Sequence, residues 1–337
     1  MRVTLTQVAK RAGVSLASAS RALNGESASA HTVESVRRAA RELAYVPDAR
    51  AQSLKLGVTG QLTFAVADVG NPVYVEMLRA VEGTVRKEGY RVLISSTGAA
   101  VAAEIELLRG LGRGYADGLI ISPLRITPAF LDELARLRLA VVVVGNLPAE
   151  TAIDSVRANS AAGVLLAVDH LVSLGRSRLG FVNGPLDTTP GRIRGQAFVA
   201  ACSQAGLGGT TSVVADDFTF DAGTRAARSL LEQHPDIDAV VAANDLLAAG
   251  TYHAAFDLGR AIPDDLAVVG MDDSALAAQL HPTLTSIGLG SAERGRQAAE
   301  LLLARLRDPS GPVARVVVQP ELAVRSSTGT PDARESR

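Results

Sequence analysis

The chain has a single cysteine, Cys202, and no tryptophan, and aromatic residues make up 4% of its 337 residues. One cysteine excludes an internal disulfide framework and a cysteine-based zinc site, and it fits a reducing compartment. The five histidines, His31, His170, His234, His253 and His281, are not closely paired, which argues against metal binding. No apolar stretch approaches the roughly 18 residues of a membrane span. Leu139–Val144 is among the longest. The N-terminus, Met1-Arg2-Val3-Thr4-Leu5-Thr6-Gln7, lacks the apolar centre of a signal peptide. No Gly-x-Ser-x-Gly nucleophile elbow occurs. These absences predict a cytoplasmic protein without cofactor, metal or catalytic residues, and not an enzyme.

Net charge is also scarce, at −1, but it is unevenly spread. Residues 1–60 carry nine Lys/Arg and four Asp/Glu, whereas the other 277 carry 25 and 31. A basic head on an acidic body implies a polyanionic partner at one end only.

The head reads as three short helices. Thr4-Leu5-Thr6-Gln7 forms a capping box, and Leu5, Val8, Ala9 and Ala12 share one face of the first helix. Gly13 permits a left-handed turn, Val14 fills it, and Ser15 caps a second helix. In that helix Ala19 and Leu23 point inward, while Leu16, Ala17, Ser18 and Arg21 point outward, and Asn24-Gly25 ends it. Ser29 caps a third helix with Val33, Val36, Ala40 and Leu43 as its stripe. A helix, a glycine turn and a second helix with a small, polar outer face make a helix-turn-helix suited to a DNA major groove.

From about residue 61, short apolar segments alternate with helical ones. The candidate strands are Leu62–Ala67, Arg91–Ser95, Gly118–Ser122, Ala140–Val144, Arg178–Val182, Ser212–Ala215, Ala239–Ala242, Ala267–Gly270 and Leu284–Ile287. Intervening helical patterns include Val73–Glu88, Asn159–Leu174, Arg192–Ala205, Ala222–Gln233 and Asn244–Leu258. The alternation predicts parallel sheets covered by helices, and about nine such strands imply two doubly wound subdomains. Cys202 falls on a small-residue helix face and reads as core. Gly288-x-Gly290 follows a strand, but Glu293 stands where a dinucleotide fingerprint needs its third glycine. Gly110-x-Gly112-x-Gly114 precedes its strand, the wrong order for cradling a phosphate.

The stretch from Thr4 to Gly25, together with Ala44-Tyr45-Val46-Pro47-Asp48 and Ala51-Gln52-Ser53-Leu54, resembles the lactose-repressor/galactose-repressor (LacI/GalR) family of bacterial transcription factors. The likeness runs to about Val324. It implies an all-α helix-turn-helix head, residues 1–46; a hinge, residues 47–60; and a periplasmic-binding-protein-like α/β body, residues 61–325. The body's first lobe would span about 61–158 and 289–318, its second about 159–288 and 319–325, with three crossings between them. Residues 326–337 are left as a polar tail.

The resemblance also implies roles. Leu16 and Ala17 open the recognition helix and would read bases by shape and thymine-methyl contact, and Arg21 could take a guanine bidentately. Thr4, Ser15, Ser18 and Asn24 would meet phosphates or frame the helices. In the hinge, Ala51 would let two hinge helices approach, and Leu54 would wedge into the minor groove.

Polar residues just after strands are the candidates for a ligand cleft: Asp68, Asn71, Tyr74, Asn146, Arg192, Asn244 and Asp272, with Phe218 as an aromatic lid. For Asn71 and Asn244, helix capping is the competing reading. The resemblance places an effector-binding arginine at Arg192, and Arg194 is the neighbouring cation. Three positions depart from the family pattern: Gly145-Asn146 and Ala158 where acids are common, and Leu289 where a glutamine is common.

The expected protein is a homodimeric repressor that binds a palindromic operator and is released by a small effector, a carbohydrate. The alternatives are a corepressing effector, a nucleobase or a sugar phosphate. A cytoplasmic ligand-binding protein without DNA binding is the contrasting class.

Overall fold

The computed structural model describes residues 3–24, 28–46, 57–208 and 211–329, and the chain divides into two units, Met1–Thr59 and Gly60–Arg337.

In the first unit, α1 (Leu5–Ala12), α2 (Leu16–Asn24) and α3 (Ala30–Glu42) close around Val8, Ala9, Ala19, Ala22, Val36 and Ala39. Both halves of the Thr4 capping box form: the Thr4 amide donates to Gln7 Oε1 at 2.8 Å, and the Gln7 amide to Thr4 Oγ1 at 3.4 Å. Gly13 has φ +68°, which a residue with a Cβ adopts only at a cost, and this lets the chain reverse between α1 and α2. Ser15 then accepts from the Ser18 amide at 3.1 Å and caps α2. Ser29 does the same for α3 through Thr32.

The second unit holds two six-stranded sheets. The first contains β1 (Gln61–Val66), β2 (Arg91–Ser96), β3 (Gly118–Ser122), β4 (Ala140–Val144), β5 (Asp154–Ala158) and β11 (Arg315–Val318), in the order β11-β5-β4-β3-β1-β2, with every pairing parallel. The second contains β6 (Leu179–Asn183), β7 (Thr211–Val214), β8 (Ala239–Ala242), β9 (Ala267–Asp272), β10 (Thr285–Gly288) and β12 (Glu321–Ala323), in the order β12-β10-β9-β8-β6-β7. Its edge strand β12 alone runs antiparallel.

Among the described residues, eight helices cover the sheets: α4 (Pro72–Val85), α5 (Val101–Leu111), α6 (Pro128–Arg136), α7 (Ser160–Ser173), α8 (Thr189–Gln204), α9 (Phe220–Gln233), α10 (Asp245–Asp257) and α11 (Ser291–Arg307). Each sheet has its own core. Phe64, Met77, Ile120, Val142 and Leu302 lie on one face of the first and Leu119, Ile121, Phe130 and Val143 on the other, while Phe181, Phe198, Val240 and Leu247 sit in the second. The chain passes from one sheet to the other at 158–160, 288–291 and 318–321. This is the expected architecture: a helical head and a body of two doubly wound lobes. Near-continuous Val/Ile/Leu strands are what a parallel sheet buried on both faces requires.

Three strands lie outside the nine candidates: β12 falls in the segment that the resemblance gives to the second lobe, whereas β5 and β11 are not anticipated. β5 is polar because Asp154 is buried on it, held bidentately by Arg305 of α11 at 2.9 and 3.0 Å. β11 is an edge strand with alternating exposure. Cys202 is buried, and its thiol is pushed up to about 11 by that burial. No described helix is long and apolar enough to cross a membrane, and no described cluster of three or more His, Cys, Asp or Glu could hold a metal.

Candidate DNA-reading helix and effector cleft

On the head, the outer face of α2 has the expected character. Leu16 is 51% exposed, Ser15, Ala17 and Arg21 are exposed, and Ser18 is half-buried. Ser15 and Ser18 hydroxyls share a 2.9 Å hydrogen bond, so both frame the start of the helix. Thr4 is committed to its capping box. Nothing is described of the Asn24 side chain, and Ala51 and Leu54 lie outside the described residues.

In the body, a cavity of about 270 Å³ opens between the two sheets at the C-terminal ends of their strands. This is where ligands bind open α/β sheets, and its size is at the small end for such sites. Seven of the eight expected cleft residues line it: Asp68, Asn71, Tyr74, Asn146, Phe218, Asn244 and Asp272.

Arg192 does not line the cavity. It is exposed on α8, and the arginine that α8 gives to the cavity is Arg194, only 9% exposed. The cause is where α8 begins. Thr188 caps it by accepting from the Gly191 amide at 3.1 Å, with Pro190 in the first turn, so the helix starts three residues before Arg192. That phase points Gly191 and Arg194 inward and Arg192 to solvent. Among the other lining residues outside the expected set, Arg294 and Ser122 matter most. Arg294, from α11, has no sequence signal, because Glu293, Arg294, Arg296 and Glu300 read as a solvated helix face. Ser122 lies at the end of β3.

The polar lining divides into residues that frame the cleft and residues with free valence. Asn71 caps α4, accepting from the Val73 amide at 3.1 Å. Asn244 caps α10 by accepting from Leu247 at 2.8 Å, and its amide donates to the Phe218 carbonyl at 3.1 Å. Asp68 turns its own loop by accepting from the Gly70 amide. Phe218 packs against Gly184, where a Cβ would come within 2.2 Å of the ring, so a side chain there would displace this aromatic wall. Tyr74 is buried, and its phenol is raised by that burial.

Asp272 ends β9 with φ +116°, a strained backbone for a residue with a side chain. Burial pushes its carboxyl up despite the nearby Arg194 and Arg294. Behind it, Asp245 accepts from the Ser274 amide and hydroxyl, both at 2.8 Å, and from Ser286 Oγ at 2.6 Å. Burial, with Asp272 beside it, pushes the Asp245 carboxyl up as well.

Among the contacts that join the lobes, two lie together at the rim. The Thr189 amide donates to the Leu124 carbonyl at 2.8 Å, and Arg125 grips Asp187 bidentately at 2.7 and 3.1 Å.

Residues 4–48 match the model for bacterial regulatory proteins of the lacI family, and residues 168–328 match a periplasmic binding protein-like domain. The ribose operon repressor of Halalkalibacterium halodurans is 33% identical over 328 residues, covering 96% of this chain and 97% of its own. The chain belongs to the LacI family. As a family member it is a DNA-binding transcriptional regulator rather than an enzyme. A solved complex of the transcriptional regulator CelR with cellobiose is 29% identical, with a TM-score of 0.73, covering 97% of this chain and all of that one. The lac repressor dimer bound to operator and an anti-inducer is 24% identical with a TM-score of 0.88 over 98% of this chain, a likeness of fold.

Proposed function

We propose that this LacI-family regulator is a repressor. It binds a near-palindromic operator as a homodimer and is released when a small carbohydrate closes the cleft between its lobes. The observation that carries the reading is the pairing, in one chain, of a solvent-facing recognition helix with a cleft holding a desolvated Arg194 opposite Asp272. A guanidinium fork and a fixed carboxylate suit vicinal hydroxyls, and the Phe218 and Tyr74 rings suit the apolar face of a sugar. The relatives favour the same class: one is named for a ribose operon, and another was solved with cellobiose. The seat of action is the cytoplasm, at the nucleoid.

For the dimer, support comes from β2, the edge strand of the first sheet, which leaves Leu93 and Ile94 45% and 48% exposed. A self-complementary face of this kind would place two heads on symmetric half-sites. Residues 47–60 form the hinge, with Ala51 at the crossing and Leu54 as the minor-groove wedge. Arg194 takes the effector-binding role first expected of Arg192. A ligand shifts operator affinity only as far as it binds the two lobe arrangements differently.

The test is fluorescence anisotropy on operator selected from a random duplex pool, titrated with sugars. Release by a sugar, with Arg194→Ala raising the half-release concentration at least tenfold, supports the reading. Tighter operator binding on sugar addition would make the effector a corepressor. Leu54→Ala should weaken selected operator far more than random duplex, and equal losses would refute the wedge.

A further inference from the structure

The cleft contains more buried positive charge than a neutral sugar calls for. Arg194 enters from α8 and Arg294 from α11, so the two cations come from opposite lobes. Arg194 spends one nitrogen on the Ala243 carbonyl, and its Nε is buried without a partner. Arg294 makes one hydrogen bond among the described residues, a long one of 3.4 Å to Ser291 Oγ, and its Nε is likewise buried and unpartnered.

The negative charge facing them is small. Asp272 is the buried carboxylate of the lining; it attracts both guanidiniums, but among the described residues neither hydrogen-bonds to it. Asp245 stands behind it and acts on Arg194, but burial beside Asp272 disfavours its charged form, and its oxygens accept from Ser274 and Ser286 rather than from either guanidinium. Glu76 faces Arg294 from α4 but lies outside the cavity lining. Asp68, Asp217 and Arg157 are exposed at the rim, where water screens them.

Burial costs a charge dearly unless a counter-charge meets it, and arginine does not shed its proton to escape. Burial does push both guanidiniums down from the usual arginine range. Arg294 carries an added penalty. Its contact with Ser291 brings it beside the first turn of α11, the positive end of the helix dipole, which favours an anion and not a cation. Two planar forks with free N–H groups, converging on a site of about 270 Å³, match a carboxylate or phosphate bidentately.

We infer that the effector is an anionic carbohydrate, a sugar acid or a sugar phosphate, whose charged group docks on Arg294 and Arg194 while its hydroxylated body lies against Asn146, Tyr74 and Phe218. This rests on the cleft being the effector site. It explains why Leu289 at the same wall is tolerable: the grip is on the charge, not on every hydroxyl.

The experiment is calorimetric titration of the full chain at low salt with two matched sets: ribose, ribonate and ribose 5-phosphate; glucose, gluconate and glucose 6-phosphate. Inorganic phosphate alone is the control for simple anion binding. In at least one set a charged member should bind ten or more times tighter than its neutral parent. Arg294→Leu should erase that advantage and Arg294→Lys should keep part of it. Without sugar, the leucine variant should melt higher than the parent chain, since an unmatched buried cation is gone, which separates lost affinity from lost folding. The acid and phosphate arms tell the two sources of charge apart. Neutral parents binding as tightly as the anions, no binding of any anion, an advantage that survives Arg294→Leu, or inorganic phosphate binding as tightly as the whole compounds would each overturn the inference. A neutral sugar that binds and releases operator would overturn the inference and leave the repressor reading standing. Failure of every probe to release operator would remove both.

Discussion

Glu104 on α5 is 1% exposed, and its Oε2 has no hydrogen-bond partner. The nearest cation acting on it, Arg125, is already committed to Asp187 and to the Ala99 carbonyl. Burial therefore wins over that attraction and raises the carboxyl from 4.5 to about 7. The folded protein then holds a proton that the unfolded chain releases at about 4.5, so stability falls as pH rises. The favourable contribution is present in full below about 4.5 and is lost as pH climbs to about 7. At about 1.4 kcal/mol per pH unit, this amounts to about 3 kcal/mol at pH 8, a large share of the roughly 5–15 kcal/mol that holds a domain folded. Glu104→Gln mimics the protonated side chain and removes the titration. Urea unfolding of both proteins, followed by circular dichroism from pH 4.5 to 8 at fixed ionic strength, gives the difference profile in which all other groups cancel. The variant should match the parent near pH 4.5 and exceed it by about 2–3 kcal/mol at pH 8. Parallel profiles would show that Glu104 is solvated or paired, and the reasoning would fail.

Three further outcomes follow from the geometry. A Cβ at Gly250 would lie 2.4 Å from the Thr224 nitrogen and 2.5 Å from the Phe220 carbonyl oxygen, where α10 rests on α9. Gly250→Ala should therefore destabilise by about 1–3 kcal/mol, even though alanine gains about 1 kcal/mol of helix propensity, and an unchanged urea midpoint would contradict this. Arg125→Ala removes the charged half of the rim contact, so a bound sugar should leave several times faster in stopped-flow displacement; equal rates would show that the contact does not restrain the lobes. Arg21→Ala should cost about 1–3 kcal/mol on selected operator and much less on random duplex, whereas a uniform loss would reassign Arg21 to phosphate contact.

The head was legible almost residue by residue, because its signals are local. A capping box, a glycine in the left-handed region and a serine cap each act within four residues, and all three form as the sequence predicts. The apolar central strands were legible for the same reason that they are strands, burial on both faces. What escaped was set by distance. β5 carries a buried Asp154 that makes sense only beside Arg305, 151 positions away. The start of α8 reads as a loop in Asp187-Thr188-Thr189-Pro190, since threonine and proline serve turns as well as helix starts. The resemblance puts the effector arginine at Arg192, and only the observed phase of α8 shows that Arg194, two positions on, is its arginine in the cavity. Arg294 belongs to a run of charges at helical spacing, and only the packing of α11 onto the first sheet shows that it faces the cavity.

The rim contact between the lobes has two halves of different kinds. The Thr189–Leu124 hydrogen bond joins main-chain atoms, so no change of side chain short of a proline at 189 can delete it. The Arg125–Asp187 half is side chain alone and can be gained, weakened or lost by single substitutions. One is a fixed pivot and the other an adjustable spring. A partly exposed pair is worth up to about 1 kcal/mol, which moves the ratio of closed to open lobes about fivefold. On the proposed function, the effector concentration that closes the lobes can therefore be retuned by a few-fold at the rim, with the cleft lining and the outer face of α2 left untouched.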